Sequence, residues 1–382
     1  MRSFLPRLGS CTLLAAAALF FAAGSAAASS SPIGGPAIVG HVYVNDNTAS
    51  ANTVAAFDRH ANGTLTPHPG SPFAAGGAGT GTGLASQGAI QVASDGRFVL
   101  AVDAGSNQIS VLRIEHGGGL AMKDVVSSGG TEPVSIAEHQ GLVYVANAGA
   151  GGSNYTGFRL TSRGQLQPLA NSTYALPDSA QPGDVLFNST GTDVVGTRVG
   201  TSQIDSFTVG SGGRLKPAPG SPYPAQGLGP FGSEFRPTNP NQLFVSNAHN
   251  AGVGTVSAFR VNSSGVLFSI GASPFPDNQT APCWVEISHN GKFLFTVNTA
   301  SGSISRYRIP TSGRLQLLGS TPLSTSSAGA VDARLSPDGR NLYVDQSKAD
   351  SVAELAVSGA ALTEIGVAPL PAGAAPAGIA TN

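Results

Sequence analysis

A short run of β-branched and aromatic residues ending in a small polar residue recurs along the chain. It reads Val42-Tyr43-Val44, Val99-Leu100-Ala101-Val102-Asp103, Val143-Tyr144-Val145-Ala146-Asn147 and Val194-Val195-Gly196-Thr197. It continues as Leu243-Phe244-Val245-Ser246-Asn247, Leu294-Phe295-Thr296-Val297-Asn298 and Leu342-Tyr343-Val344-Asp345, seven copies spaced by about 44 to 57 residues. A period of that length confines the chain to architectures that stack one supersecondary unit many times.

Each copy has the same companions. Upstream lies a strand and turn such as "ARLSPDG" (333–339), and downstream an alternating strand such as "SISRYRI" (303–309), then a turn-plus-strand unit such as "RGQLQP" or "SGRLQL". Alternation of period two bounded by Gly, Asn and Asp turns marks strands. Four strands per unit of this size predict an all-β, seven-bladed β-propeller of four-stranded antiparallel blades; an open two-sheet sandwich array is the alternative. The first unit, Ile38–Val44, lacks a leading strand, while the chain finishes with Pro376-Ala377-Gly378-Ile379-Ala380, similar to Pro133-Val134-Ser135-Ile136-Ala137 of the third unit. The tail is therefore expected beside Tyr43, where it closes the ring and leaves no exposed edge. Pro in the recurring "PGSPF" (69–73), "PGSPY" (219–223) and "ASPF" (272–275) is expected to stop pairing at the blade edge.

The chain opens with Arg2 and Arg7, an apolar run over Leu13–Ala23 and then Ala26-Ala27-Ala28. That order is the pattern of a secretory signal peptide, over 1–28. Residues 29–37 read as a short linker, and 38–382 as the propeller. The apolar run is shorter than a membrane span needs, and no later stretch is apolar enough, so the expected location is extracellular or periplasmic. Cys283 is then the single cysteine, so packing and not disulfides holds the fold. With 20 basic and 21 acidic residues, no nucleic acid or anionic membrane is expected as partner, and a monomer is expected.

Units of the form "LYVAN…VSVF.V…G.L" in an exported chain resemble the seven-bladed lactonase propellers, the bacterial 6-phosphogluconolactonases and fungal carboxymuconate-lactonising enzymes. "VYVAN" and "FTVNTASGSISRY" are also similar to the YVTN propellers of cell surfaces. The lactonase resemblance covers residues 38 to 382 and implies a lactone as substrate. It also implies basic and imidazole side chains in a Pro-Arg-His pattern at the start of leading strands. In "GLGPFGSEFRP" (227–237) Pro230 matches, but Phe231 and Gly232 stand in place of Arg and His, and Asp184 in "QPGDVLFNSTG" stands where a histidine often sits. The implied catalytic residues are not carried over.

In a propeller the leading strands line a central channel. Counting back from each turn gives one channel level of Ile90, Val134, Asp184, Gly232, Trp284, Asp332 and Ala377. A second level reads Val92, Ile136, Leu186, Glu234, Glu286, Arg334 and Ile379. Charges at such positions are poorly solvated and should pair. One reading is a pocket in which Glu234, Glu286 or Asp184 is the catalytic carboxylate while Arg334, Arg198, Trp284 and Asp332 bind substrate. The other is a set of structural pairs, with Arg198 held by Asp184 or Asp193 and Trp284 in the interblade core. Seven scattered histidines form no His-x-His or His-Glu-x-x-His run, so no metal ligand is named. No phosphate-binding glycine loop or Gly-x-Ser-x-Gly elbow occurs, and no cofactor is expected.

Two functions stand: a lactone hydrolase or lactonising enzyme, and a non-catalytic YVTN-type module that binds a cell-surface polymer or protein. A water-accessible pocket gathering the charged residues marks the first, and a closed channel with those residues paired marks the second.

Overall fold

The repeat folds into seven antiparallel sheets. The computed structural model describes residues 35–249, 252–325 and 329–382, so the expected signal peptide lies outside the described residues. From blade 1 to blade 7 the innermost strands are Ile379–Thr381, Ile90–Val92, Pro133–His139, Pro182–Phe187, Pro230–Arg236, Pro282–Ile287 and Ala330–Leu335. Each packs beside the innermost strand of the next blade, and that of blade 1 packs between those of blades 7 and 2, which closes the ring. Among the described residues no helix is long and apolar enough to cross a membrane.

The tail seals blade 1 as the sequence predicts. Ala380 pairs with Tyr43 and Ile379 with Val44. The His41 amide donates to the Asn382 carbonyl at 3.3 Å, and the Asn382 amide returns a bond to the His41 carbonyl at 3.0 Å.

The recurring tyrosine explains why the blades stack in register. Tyr43 Oη donates to the Gly118 carbonyl of blade 2, Tyr144 to Gly213 of blade 4 and Tyr343 to Gly63 of blade 1, each at 2.9 to 3.0 Å. Each ring is fully buried and reaches the outer turn of the following blade, so one side chain supplies apolar area and a satisfied hydroxyl. The Tyr343 bond crosses the seam between the last blade and the first.

The prolines do not end pairing as expected. In blade 1 the outer strand stops at Pro67, but Phe73–Ala74 pairs again with the same third strand; Tyr223–Pro224 and Phe275–Thr280 do likewise in blades 4 and 5. The serine before each proline bridges the gap. Ser71, Ser221 and Ser273 accept from the backbone amides of Ala56, Ser206 and Ala258 at 2.7 to 2.9 Å. A hydroxyl replaces the missing carbonyl, so no buried donor is orphaned.

Candidate functional site

Strand register defines the channel levels. Leu100, Tyr144, Val195, Phe244, Phe295, Tyr343 and Tyr43 are equivalent positions on the second strands. Their partners on the innermost strands are Gln91, Ala137, Leu186, Glu234, Glu286, Arg334 and Ala380. Blades 1 to 3 are therefore displaced by one residue from the levels expected from sequence. Val92, Ile136 and Ile379 belong to the other face of their strands, since a one-residue slip exchanges the faces. Ile136 and Ile379 are fully buried in the interblade core. The level that carries Glu234, Glu286 and Arg334 is completed mostly by small or polar residues. The level above it reads Ala89, Ser135, Asp184, Gly232, Trp284, Asp332 and Gly378.

That upper level is closed by the segment Ser86-Gln87-Gly88, just before the innermost strand of blade 2. The Gln87 amide donates to the Gly183 carbonyl at 2.8 Å. Its side chain donates to Ser233 O and accepts from the Val285 amide, both at 3.0 Å. Trp284 Nε1 donates to Ser86 O at 2.6 Å, and the Gly88 amide donates to Asp332 Oδ2 at 3.0 Å. Ser86 Oγ donates to Val134 O at 2.7 Å and the Ile136 amide to Gly88 O at 2.8 Å. One tripeptide thus ties blades 3, 4, 5, 6 and 7 together across the axis. It also explains Gly232: a Cβ there would collide with the Gln87 side-chain oxygen and approach the Cys283 carbonyl to 2.8 Å. The position at which the family resemblance implies a histidine is kept empty for Gln87.

The upper candidates are consumed by this closure. Asp184 is 2% exposed and accepts from the Ser233 amide and hydroxyl at 2.9 and 2.5 Å. Burial, ahead of the hydrogen bonds that oppose it, pushes its carboxyl up to about 7. Asp332 is 1% exposed, and besides Gly88 it accepts from the Ala333 amide at 2.8 Å. Trp284 packs edge-on against Phe231, ring centroids 5.4 Å apart, and presents no open stacking face. Cys283 is buried, which raises its thiol to about 11, far from a reactive thiolate.

Arg198 is paired, but with Asp205 and not with Asp184 or Asp193. Its Nε and Nη2 each meet a carboxylate oxygen at 2.6 Å, a bidentate fork in which both side chains are almost wholly buried. The same two positions in blades 5 and 6 hold Asn247 with Ser257 and Asn298 with Ser305, at 2.8 and 2.9 Å. The pair is an ionic version of a repeated neutral contact, which is why Arg198 has no donor fork left for a ligand. Arg198→Ala leaves a buried carboxylate without its partner and is expected to cost about 3–5 kcal/mol. The double variant Arg198→Asn/Asp205→Ser, which copies blades 5 and 6, is expected to recover most of that loss in thermal unfolding. Equal loss in both variants would contradict the equivalence of the slot.

The lower level differs. Glu286 accepts from the Leu335 amide at 2.9 Å and from Arg334 Nη1 at 3.3 Å. Arg334 keeps a quarter of its side chain exposed. Glu234 is half-buried, and its Oε2 is enclosed with no hydrogen-bond partner. Burial, then the charge of Glu286, holds the Glu234 carboxyl well above its ordinary value, against the pull of Arg334. The Arg334 guanidinium is the one cation that Glu286, Asp332, Glu234 and Asp184 all act upon. One positive charge faces four carboxylates on the two levels, and burial raises all four, so their neutral forms are favoured above the ordinary carboxylate range. Of the sequence-derived candidates, the structure brings Glu234, Glu286 and Arg334 together at a half-open level and locks Asp184, Trp284 and Asp332 above it.

Among the described residues one group fits a metal ion: His41 and Asp58 on the second and third strands of blade 1, and His68 just past its outer strand. Sequence reasoning missed it because its members are joined by cross-strand register and by no local spacing.

A family model described as "Lactonase, 7-bladed beta-propeller" matches residues 41–187 and 235–380. The unmatched stretch between them holds Arg198, Asp205, Gly232 and Glu234, so the chain departs from the pattern where its channel departs. Among solved structures, the chain is similar to a provisionally assigned 6-phosphogluconolactonase of Bacteroides uniformis. The TM-score is 0.73 at 17% identity, over 91% of this chain and 100% of that one. It is also similar to the periplasmic gluconolactonase PpgL of Pseudomonas aeruginosa, with a TM-score of 0.69 at 16% identity, over 90% of this chain and 98% of that one. At these identities the likeness is one of fold. No curated protein matches the chain.

Proposed function

This chain belongs to the seven-bladed β-propeller lactonase family, and we propose that it is an exported hydrolase of small anionic lactones, working at the level of Glu234, Glu286 and Arg334. One observation carries the reading. Among the described residues, Glu234 is the only acid on the innermost channel strands with an enclosed, unpartnered oxygen; Asp184, Asp332 and Glu286 are engaged.

Arg334 holds the substrate's anionic group. Ionised Glu234 takes a proton from water as the water oxygen bonds to the acyl carbon. The acyl–oxygen bond of the ring then breaks, and Glu234 returns the proton to the departing alkoxide, giving the open hydroxy acid. Glu286 keeps Arg334 aimed at this space. Because burial and the Glu286 charge hold the Glu234 carboxyl above its ordinary value, its basic form grows only as pH climbs past the usual carboxylate range, and kcat is expected to rise with pH.

The test is a screen of gluconolactone and its 6-phosphate with protein recovered from the extracellular or periplasmic fraction, where export places it. Hydrolysis by the wild type, lost at least 100-fold in Glu234→Gln and weakened mainly in KM by Arg334→Ala, is the expected result. Equal activity in wild type and Glu234→Gln would reject this site.

The Ser86-Gln87-Gly88 closure favours a second reading, a non-catalytic propeller of YVTN type whose loops hold a cell-surface polymer or protein. A folded wild type inactive on every lactone, yet retained by the producing cell's envelope, would establish that reading over the first.

A further inference from the structure

His41, Asp58 and His68 meet on one side of blade 1, outside the channel. His41 lies on Ile38–Asn45 and pairs in register with Asp58 on Thr53–His60, while His68 follows the outer strand Leu65–Pro67. One candidate ligand atom from each lies within 4.8 Å of the others. His68 Nδ1 is 2.6 Å from Asp58 Oδ1, and His41 Nε2 is 3.7 Å from the same oxygen. The three side chains are only 10 to 15% exposed.

The hydrogen bonds around His41 settle its tautomer. Asn382 Oδ1 accepts from the His41 backbone amide at 2.9 Å and lies 3.1 Å from His41 Nδ1. An amide oxygen accepts only, so Nδ1 carries a proton and Nε2 is the ring nitrogen turned towards Asp58. That Nε2 is enclosed and has no hydrogen-bond partner, and it faces an acceptor carboxylate. An unpartnered ring nitrogen opposite a buried carboxylate is an arrangement that a shared cation, proton or metal ion, resolves. The Asn382 contact is also the kind of outer hydrogen bond that orients a metal-bound imidazole.

We propose that His41 Nε2, Asp58 Oδ1 and His68 Nδ1 bind a divalent ion of the zinc class, with water as fourth ligand. Two imidazoles and a carboxylate suit borderline first-row ions over calcium or magnesium, which take mainly oxygen. Tetrahedral bonds of about 2.0–2.1 Å place ligand atoms roughly 3.3 Å apart. The 2.6 and 3.7 Å separations bracket that value, so small side-chain rotations suffice. The ion sits under the glycine turn of blade 2, where a Cβ on Gly118 would strike the His41 ring. It ties two strands of blade 1 to the segment after the outer strand, beside the closing tail.

The experiment is calorimetric titration of chelator-treated full-length protein with Zn²⁺ alone, paired with thermal unfolding. Wild type should bind one Zn²⁺ and gain thermal stability. His68→Ala, which alters a residue outside the strands, should weaken binding at least 100-fold and remove the thermal gain. Asp58→Asn should do the same, and Asn382→Ala should weaken binding less. Absence of uptake by the wild type at 100-fold molar excess of Zn²⁺, or uptake undiminished in a folded His68→Ala, overturns the proposal. Either result would mean that the three residues form a proton-mediated His–Asp contact.

Discussion

Deleting Pro376–Asn382 is expected to abolish the native fold. The segment supplies the innermost strand of blade 1, with Ile379 fully buried and Ala377 and Ala380 nearly so. Burial of the isoleucine alone is worth about 2–3 kcal/mol. Backbone bonds from the segment reach His41 and Asn45, two to each, at roughly 1 kcal/mol each. Removing the Gly378 amide also strips a donor from Asp345 Oδ2, a carboxylate already buried and short of partners. The sum, on the order of 10 kcal/mol, reaches the whole stability of an ordinary domain. The strand Ile38–Asn45 would be left as an apolar edge at the axis, a template for aggregation. Size-exclusion chromatography should show aggregates, and near-ultraviolet circular dichroism should lose its fine structure. A monomeric truncation with an unchanged Tm would mean that the ring does not depend on its seam.

Most of this architecture is written locally. The "VYV" tyrosines, the hairpin turns and the orphan first strand each state one fact about pairing, and the facts agree. The spare "PAGIA" at the end has no use except to complete blade 1, so the closure was legible. The outer serines were not. "PGSP" reads as a stop because proline removes a donor, whereas the compensating serine hydroxyl acts fifteen residues away on a neighbouring strand.

The channel was legible only in part, for reasons of register. Asp184, Trp284 and Asp332 do share one level, and Glu234, Glu286 and Arg334 another, because blades 4, 6 and 7 carry the same long turn before the second strand and blade 5 keeps step with them. Blade 2 has the same turn, Val92 pairing with Val99, and its residue at this level is Gln91, the less conspicuous neighbour of Val92. Blade 3 breaks the count: His139 pairs directly with Leu142, a tighter hairpin than the one in which Ile287 pairs with Leu294. Blade 1 has no such turn, since the tail delivers its innermost strand. In both blades the conspicuous aliphatic residues belong to the interblade core, and their small neighbours belong to the channel. The Gln87 closure left one trace, the missing imidazole at Gly232. An absence does not say which distant side chain fills the space.

The store of buried acids sets the second large effect: this protein should be most stable in mild acid and lose stability towards neutrality. Burial raises Asp46 and Asp184 from an ordinary carboxylate value to about 7 each. It also raises Asp103, Glu234, Asp277, Asp332 and Asp345. Between about pH 4 and pH 7 the unfolded chain has released protons that the native state still holds. Unfolding therefore releases protons, and raising the pH favours it. The stabilisation is complete below the unfolded value and is lost as pH climbs through the native one. Asp338 runs the other way. Against a burial that raises it, the Ser336 hydroxyl and Arg340 amide hold it low, so its smaller contribution is present above about pH 4 and fades below it. Asp46 and Asp184 each carry roughly 4 kcal/mol between the limits, so Tm should fall by about 10 °C or more from pH 4.5 to pH 8. Asp184→Asn keeps the acceptor for the Ser233 amide without an ionisable group and should remove the Asp184 share, about 4 kcal/mol, from the profile. A wild-type Tm that rises steadily over that interval would show that the channel acids are ionised in the folded protein. The single guanidinium of Arg334 would then have to be joined by a further source of positive charge.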